Sequence, residues 1–389
     1  MSTSPDFTYF DLVVTNIKSE TTDPQPVYYN EMRTNPIIDD VSLYELSIVR
    51  FQLDTQLLPV FIPEIQPSPN TDSNLTIYSV TLSYTPTNTT SPIISQAYLS
   101  WSPQNKNTPV PPPPSQTTSG LQSTSGNYYE CYNYQWVAYQ VYNALQTAFS
   151  GLQEMVADAG YDDLDDVQPP IFTWNNDNST AVLNAESDYY NNAGSSASEN
   201  PIEIYFNAPL QSLFSSFPFT SYGSSATNGM NYRLNVGNFQ GTNEIYLPTV
   251  VSSGQTQYLM TQVFQEYSTV SNFSPISSIV FVSNTLPIVP NQLSAPIIYD
   301  ENNLMTYGNN ANFSNIITDL ATNDNCYKPN LIYEPTAQYR QIAMQGRGPL
   351  SNVDVSVFWK SRLGQLNPVL LPSGGSLSIK FLFTKKKLL

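Results

Sequence analysis

The chain of 389 residues contains no histidine, and this absence restricts the chemistry that its side chains can do. Histidine is the commonest general base and metal ligand, and it belongs to the Ser-His-Asp and Cys-His catalytic sets. What remains is carboxylate chemistry, as in glycoside hydrolysis, where two acidic side chains flank the scissile bond. The candidates for such a pair are Glu203, Asp188 and the acidic run at 162–166.

The acidic run consists of Asp162, Asp163, Asp165 and Asp166 around one leucine. It lacks the central glycine and the distal glutamate of a calcium-binding loop. Because it follows a helical pattern, a solvated loop after a helix C-terminus is the preferred interpretation. The sequence therefore predicts no catalytic residue, no cofactor and no metal site.

Two cysteines, Cys131 and Cys326, lie far apart and have neither metal-ligand nor redox spacing, so their role stays open. The polar start of the chain does not have the pattern of a signal peptide. No run of about 20 apolar residues predicts a membrane span. We therefore expect reduced thiols and an intracellular site of assembly.

The composition favours a protein that assembles with others. Only 12% of the residues are charged, whereas 27 tyrosines and 31 prolines accompany many Asn, Ser and Thr residues. A charged share of about 25% is usual in soluble domains. Tyrosine combines a large apolar ring with a hydroxyl that can reach a partner, which suits protein interfaces.

The charges are divided between two parts of the chain. Residues 107–254 contain thirteen acidic side chains and a single base, Arg233, whereas nine of the fourteen bases follow from Lys328 onward. Such a division predicts two surfaces that meet different partners, although drift in a weakly charged sequence is the alternative.

The basic C-terminus offers a possible contact with polyanions. Lys385, Lys386 and Lys387 follow directly on the last predicted strand, which also carries Lys380. They could meet the phosphates of packaged nucleic acid or an anionic membrane without sequence preference. The alternative is a solvated tail that keeps the last strand from further pairing.

Most of the regular pattern is that of short strands. Thr76–Tyr84, Val353–Lys360 and Leu377–Thr384 alternate apolar and polar residues, as half-buried strands do. Further strands are predicted between Pro, Asn and Ser residues at Phe7–Asn16, Leu43–Leu53, Ser95–Trp101, Ile279–Ser283 and Pro290–Ile298. Many short strands separated by turn residues are typical of an all-β sandwich.

One segment has helical periodicity, and a proline-rich stretch precedes it. Trp136–Val156 spaces its apolar residues by three and four, which predicts a helix packed against a sheet. Pro109–Pro114 predicts a stiff extended connector. Together they indicate boundaries that divide the chain into 1–103, 104–254 and 255–389. We expect an all-β sandwich built from both chain ends, with the middle part as a smaller inserted domain that contains the helix.

Several short motifs carry a resemblance that spans most of the chain. In the last third these are Ile279–Ser283, Tyr339–Ile342, Val353–Lys360 and Gly375–Phe383, and in the middle Val141–Leu145, Phe172–Trp174 and Phe206–Leu210. With these motifs the chain resembles the minor capsid (penton) proteins of virophages and related polinton-like viruses, above all the Sputnik-type members.

The resemblance implies a single jelly roll perpendicular to the shell of an icosahedral virion, with five copies at each vertex and the inserted domain outward. It also implies a major capsid protein of the double jelly-roll type as a partner. We therefore expect a structural protein and not an enzyme, assembled in the host cytoplasm. The four C-terminal lysines would face the interior, and the four aspartates would lie outward on an insert free to bind a host receptor.

Two other functions are compatible with the residues. A carbohydrate-binding adhesin would share the Tyr, Asn and Ser content and could use Trp101, Trp136, Trp174 and Trp359. A carboxylate-only glycoside hydrolase would use Glu203 or Asp188, and hydrolysis lost in Glu203→Gln would support it.

Overall fold

A computed structural model describes residues 6–18, 23–67, 72–87, 89–114, 122, 126–194, 197–237, 243–251, 254–288, 297–299, 305–307, 316–321, 329–334, 340–362 and 364–386. The chain divides into two compact units. The first unit combines residues 1–60 and 274–389, and the second comprises residues 61–273.

The elements are as follows in chain order. The first unit begins with β1 (Phe7–Thr15), β2 (Gln25–Pro26), β3 (Tyr28–Met32) and β4 (Tyr44–Asp54). The second unit contains β5 (Leu75–Tyr84), β6 (Ile93–Ser100), α1 (Tyr134–Asp158), β7 (Ile171–Asn175), β8 (Thr180–Glu186), α2 (Ser187–Tyr190), β9 (Glu203–Phe206), α3 (Ala208–Leu213), β10 (Phe219–Ser221), β11 (Tyr232–Leu234), β12 (Glu244–Val251), β13 (Gly254–Phe264) and α4 (Val270–Phe273). The first unit resumes with β14 (Ile276–Val282), β15 (Ile297–Tyr299), β16 (Met305–Tyr307), β17 (Ile316–Leu320), β18 (Asn330–Tyr333), β19 (Ile342–Ala343), β20 (Asn352–Ser361), β21 (Leu366–Pro368), β22 (Leu370–Leu371) and β23 (Ser376–Lys385).

The first unit is built around two antiparallel sheets. One has the order β1-β23-β4-β18, with β19 also paired to β4, and the other has the order β17-β14-β20-β21, with β3 also paired to β20. Phe51 of the first sheet packs on Phe281 of the second with ring centroids 5.0 Å apart. The predicted all-β jelly-roll fold is confirmed by this sandwich and by its match to solved structures reported below.

The alternation seen in the sequence explains how the two long C-terminal strands are buried. Val353, Val355, Val357 and Trp359 of β20 are buried, and so are the apolar residues of β23 from Leu377 to Phe383. Since side chains of a strand point to opposite faces in turn, each strand presents one apolar face to the core. The strand predicted at Pro290–Ile298 lies mostly outside the described residues.

The second unit places the long helix α1 against β5, β6 and β7. The predicted helix at Trp136–Val156 is confirmed, since α1 spans Tyr134–Asp158 and buries the predicted apolar stripe from Val137 to Leu152, although Met155 at its end is exposed. Asn133 caps its first turn by accepting a hydrogen bond from the amide of Trp136 at 2.8 Å. The close approach of α1 to β6 favours a glycine at position 151, because a Cβ there would lie 2.7 Å from the Ser95 hydroxyl, which would have to move.

Two sheets complete the second unit, in the orders β10-β11-β9-β5-β6 and β12-β13-β8-β7. A cluster of aromatic rings in its core centres on Phe273, whose ring meets those of Phe61, Tyr134, Trp174 and Phe214 at centroid distances of 5.2 to 6.2 Å. The edge-on geometry of these four pairs is one that aromatic rings prefer.

The boundaries between the two units fall at other sequence positions than the pattern predicted. The predicted boundaries lay near residues 104 and 254, whereas the units change at 60/61 and 273/274. The difference comes from β5 and β6, which alternate like jelly-roll strands. However, β5 pairs with β6 and with β9 of the second unit, and both strands pack against α1. The second unit is therefore the larger one, not the smaller insert that was expected.

Asn207 joins α3 to β5 and gives a first testable prediction. Its Oδ1 accepts hydrogen bonds from the amides of Leu210 and Ser79, both at 3.1 Å, and its Nδ2 donates to the carbonyl of Ile77 at 2.7 Å. Asn207→Ala removes a helix cap and leaves buried backbone groups unpaired. We expect the free energy of unfolding to fall by about 2–3 kcal/mol, measured by urea unfolding followed by tryptophan fluorescence.

The matched control is Asn133→Ala, which removes an exposed cap that makes one such bond. We expect it to cost about 1 kcal/mol. Equal costs for the two variants would show that the contacts of Asn207 to β5 contribute nothing.

Candidate functional site

The first unit exposes large apolar side chains on two neighbouring edge strands. We call this surface the β1 edge and define it by Phe7, Tyr9, Val13, Tyr28 and Met32, which are 53–80% exposed. The strands β1 and β3 belong to different sheets but contact each other, and the rings of Phe10 and Tyr29 meet edge-on between them at 6.2 Å. Exposed apolar side chains grouped in this way mark interaction surfaces.

The charges that accompany β1 are already compensated. Asp11 lies 3.4 Å from the Lys380 ammonium and 4.0 Å from the Arg50 guanidinium on the adjacent strands. The same ammonium lies 5.1 Å from the ring centre of Tyr9. The predicted basic contact Lys380 is therefore engaged in an ion pair on the outer face of its sheet.

The charges of β3 are compensated too. Glu31 accepts hydrogen bonds from the Tyr29 hydroxyl and from the Arg33 Nε, the latter at 2.7 Å. These two bonds lower the pKa of Glu31. The Arg33 guanidinium in turn lies 5.5 Å from the ring centre of Phe10. The β1 edge thus combines apolar bulk with internally paired charges.

The predicted basic C-terminus is only partly described. Lys386 donates through Nζ to the carbonyls of Ser42 at 3.0 Å and Met344 at 3.4 Å. The amide of Lys385 donates to the carbonyl of Asp6 at 2.9 Å. These contacts hold the end of β23 in place, whereas Lys387 lies outside the described residues.

The acidic run follows α1, as predicted for a loop. Asp162, Asp165 and Asp166 are exposed, while the Asp163 carboxylate accepts a hydrogen bond from the Tyr84 hydroxyl at 2.8 Å. Leu164 between them is buried and anchors the loop. Among the described residues no group of acidic and cysteine side chains is placed to hold a metal ion.

The carboxylate of Glu203, a candidate of the glycosidase alternative, is held by neighbouring side chains. Glu203 accepts hydrogen bonds at 2.6 Å from both Arg233 and the Tyr205 hydroxyl, so both of its oxygens are occupied. Asp188 lies on the short helix α2, where the carbonyl of the next residue, Tyr189, accepts a hydrogen bond at 2.8 Å from the amide of Ile202, the residue before Glu203.

The tryptophans of the adhesin alternative have structural roles. Trp101 and Trp359 are 4% and 3% exposed, which leaves no ring face for a sugar. The indole of Trp101 donates to the carbonyl of Tyr128, and that of Trp136 donates to the carbonyl of Ser102. Trp174 stacks on Tyr134 with centroids 5.0 Å apart.

Cys131 is buried, and its thiol donates to the carbonyl of Asn133 at 3.1 Å. Burial raises the pKa of this thiol to about 12, so it is neither a nucleophile nor a ligand at neutral pH. Cys326 lies outside the described residues. No helix in the described part of the chain is both long and apolar enough to span a membrane.

Sequence reasoning missed the β1 edge and one unusual acid, Glu130. Phe7, Tyr9 and Val13 alternate with the buried Phe10 and Leu12, so apolar residues occupy both faces of β1. An edge strand that is apolar on both faces indicates an assembly surface, and the sequence of β1 already contains this pattern. The burial of Glu130, by contrast, depends on its tertiary surroundings and had no such signal.

A sandwich formed by both chain ends, with a large unit inserted between them, defines a protein of the single jelly-roll class. A family model described as Sputnik minor capsid protein V18/19 matches residues 8–385. The chain belongs to this family of virophage minor capsid proteins.

Two proteins of Sputnik virophage are similar in sequence. The chain is 35% identical to the uncharacterised protein V18 over 158 residues, which are 40% of this chain and 91% of V18. It is 31% identical to the structural protein V19 over 191 residues, 48% of this chain and 83% of V19.

Two solved structures are similar along almost the whole chain. A chain of the Sputnik virophage, determined by cryo-EM at 3.5 Å, matches with a TM-score of 0.79 and 28% identity, covering 98% of both chains. The crystal structure of the mavirus penton protein matches with a TM-score of 0.62 and 15% identity, covering 98% of this chain and 100% of that one. The second likeness shows the fold alone.

Proposed function

We propose that this capsid protein forms homopentamers at the five-fold vertices of an icosahedral virion and seals the shell there. The observation that carries the proposal is the match to a chain of the Sputnik virion over 98% of both chains, with the family model covering residues 8–385. A single jelly roll with few charged residues can associate through its flanks without large desolvation costs.

The expected partners follow from this position. Neighbours around the vertex would be copies of the chain itself and a major capsid protein of the double jelly-roll type. Lys380, Lys385, Lys386 and Lys387 would lie toward packaged nucleic acid or an inner membrane. The second unit, with Asp162, Asp163, Asp165 and Asp166, would point outward and be free to contact a host receptor. Assembly would take place in the host cytoplasm.

The mechanism is association through surface burial, with no chemical step. Five copies close into a ring only if each carries two different surfaces that meet head to tail. Negative charge on an outward unit would keep virions apart in solution.

The solution mass of the purified full-length chain tests the proposal. We expect native mass spectrometry and sedimentation to show a species of five times the 43.4 kDa chain mass. A chain that stays monomeric up to the concentrations reached in assembly, and that is absent from purified particles, would contradict it.

A further inference from the structure

The loop between β10 and β11 in the second unit folds back over one face of its sheet. We call residues 223–230 of this loop the strap. The Thr81 hydroxyl on β5 donates a hydrogen bond to the carbonyl of Asn228 at 2.6 Å. Within the strap, the amide of Met230 donates to the carbonyl of Thr227 at 3.1 Å, which closes a turn around Asn228 and Gly229. The strap is therefore tied to the sheet at this turn.

The turn favours asparagine followed by glycine. Asn228 and Gly229 have φ values of 55° and 69°, as in a type I′ turn, where these two residue types are preferred. A Cβ at Gly229 would also lie 2.7 Å from Nε2 of Gln96 and 2.8 Å from the hydroxyl of Ser79. The pair Asn-Gly occurs at no other position of the 389 residues.

This pair has a characteristic reactivity. Glycine has no side chain to hinder its own backbone nitrogen, which can attack Cγ of the preceding asparagine. A bond forms between this nitrogen and Cγ, the bond from Cγ to Nδ2 breaks, and ammonia leaves with the proton of the glycine amide. Water then opens the resulting cyclic imide to aspartate or isoaspartate. The net change is the gain of one water and the loss of one ammonia, without oxidation or reduction.

We propose that Asn228 is a site of spontaneous deamidation and that opening of the strap controls its rate. The Asn228 side chain is exposed, so water can reach the cyclic imide. Because the backbone of the turn differs from that of the five-membered ring, the strap must open before the ring can close. Residues 223–225, 227 and 228 are exposed, and segments with few buried contacts open locally at low cost in free energy. The inference does not depend on the proposed homopentamer.

The reaction would change the strap in one direction only. Both products add one negative charge to a strap that has none and to a chain with a net charge of −17. Isoaspartate also lengthens the main chain by one carbon atom, which displaces the carbonyl of residue 228 from the hydroxyl of Thr81. Thr81 is 0% exposed, so its hydroxyl would lose its acceptor inside the protein. The strap would thus pass from a neutral, closed form to a charged, open form as the chain ages.

Incubation of the full-length chain at pH 8, followed by peptide mass spectrometry, tests the proposal. We expect the amide of Asn228 to be replaced by an acid, and isoaspartyl methyltransferase to label the same peptide. The matched control is Asn178, which is exposed in the turn between β7 and β8 and is followed by Ser179 with a φ of 51°. Asn178 should stay unmodified while Asn228 reacts, because the serine side chain hinders the attack. Asn228→Gln should abolish the label.

Thr81→Val separates control by the strap from the reactivity of the pair. It removes the hydroxyl that holds the strap, so we expect deamidation of Asn228 to become about fivefold faster. An unchanged rate in this variant, once circular dichroism has shown it to be folded, would overturn control by the strap. If Asn228 reacted in the chain unfolded by urea but not in the folded chain, deamidation of the folded protein would be overturned.

Discussion

Asp354→Asn is expected to lower the free energy of unfolding of the first unit by about 3–4 kcal/mol. Asp354 is 2% exposed on β20. Its carboxylate accepts hydrogen bonds from the hydroxyls of Ser283 and Thr285 at 2.6 and 2.8 Å and from the amides of Asn284 and Thr285 at 2.9 and 2.8 Å. Asparagine has the same shape, but its amino group would turn a donor toward these donors.

The loss can be measured by hydrogen exchange in peptides that cover β14 and β20. The control is Asp319→Asn, which removes an exposed charge paired with Arg340 and should change stability by less than about 0.5 kcal/mol. If hydrogen-exchange protection of β14 and β20 were unchanged in Asp354→Asn, the turn after β14 would be stable without the carboxylate.

The same carboxylate makes the first unit sensitive to acid. Burial alone would raise the pKa of Asp354, but the hydrogen bonds from Ser283, Thr285 and Asn284 outweigh it and leave the pKa below its ordinary value. A group with a lowered pKa in the folded state stabilises the fold above its unfolded pKa and loses that contribution as the pH falls through the folded value. The first unit should therefore lose stability below about pH 4.

Glu130→Gln is expected to stabilise the second unit by about 2 kcal/mol at pH 8 and to have little effect near pH 4.5. Removal from water raises the pKa of Glu130 from 4.5 to about 7. The Tyr132 hydroxyl donates to its carboxylate at 2.6 Å, a bond that the carbonyl of glutamine can replace. The variant therefore removes the desolvated charge and keeps the contact.

The stability contributed by Glu130 changes with pH in the opposite direction to that contributed by Asp354. Because the folded pKa lies above the unfolded one, the folded state binds the extra proton between pH 4.5 and 7. Stability of the second unit should therefore fall as the pH rises through this window and stay level above it. Urea unfolding across pH 4.5 to 8 measures the effect, and Glu154→Gln on the exposed face of α1 is the control. If the difference in free energy of unfolding between Glu130→Gln and the unaltered chain did not change with pH, the raised pKa of Glu130 would be refuted.

Periodicity alone was sufficient to predict much of the fold. The strands β20 and β23 and the helix α1 were predictable because one apolar face of each is buried, and that face repeats with the period of its element. The absence of histidine and the low share of charged residues pointed away from common catalytic sets and toward assembly.

The boundaries were harder, because alternation identifies a strand without identifying its sheet. Thr76–Tyr84 has the same pattern as a jelly-roll strand, yet β5 pairs with β9 across more than a hundred residues. The proline-rich connector was a second misleading signal, since Pro109–Pro114 lies inside the second unit and not at its border.

The candidate surface depends on register, which the sequence does not display. Lys380 reads as a free basic residue until the pairing of β1 with β23 places it opposite Asp11.

A density map of purified virions tests the central proposal most directly. If this chain is the vertex protein, a reconstruction should show five copies of its jelly roll around each five-fold axis, with the larger unit on the outside. A map in which the vertices are occupied by another protein, or in which this chain lies only between capsomers away from the five-fold axes, would contradict the account.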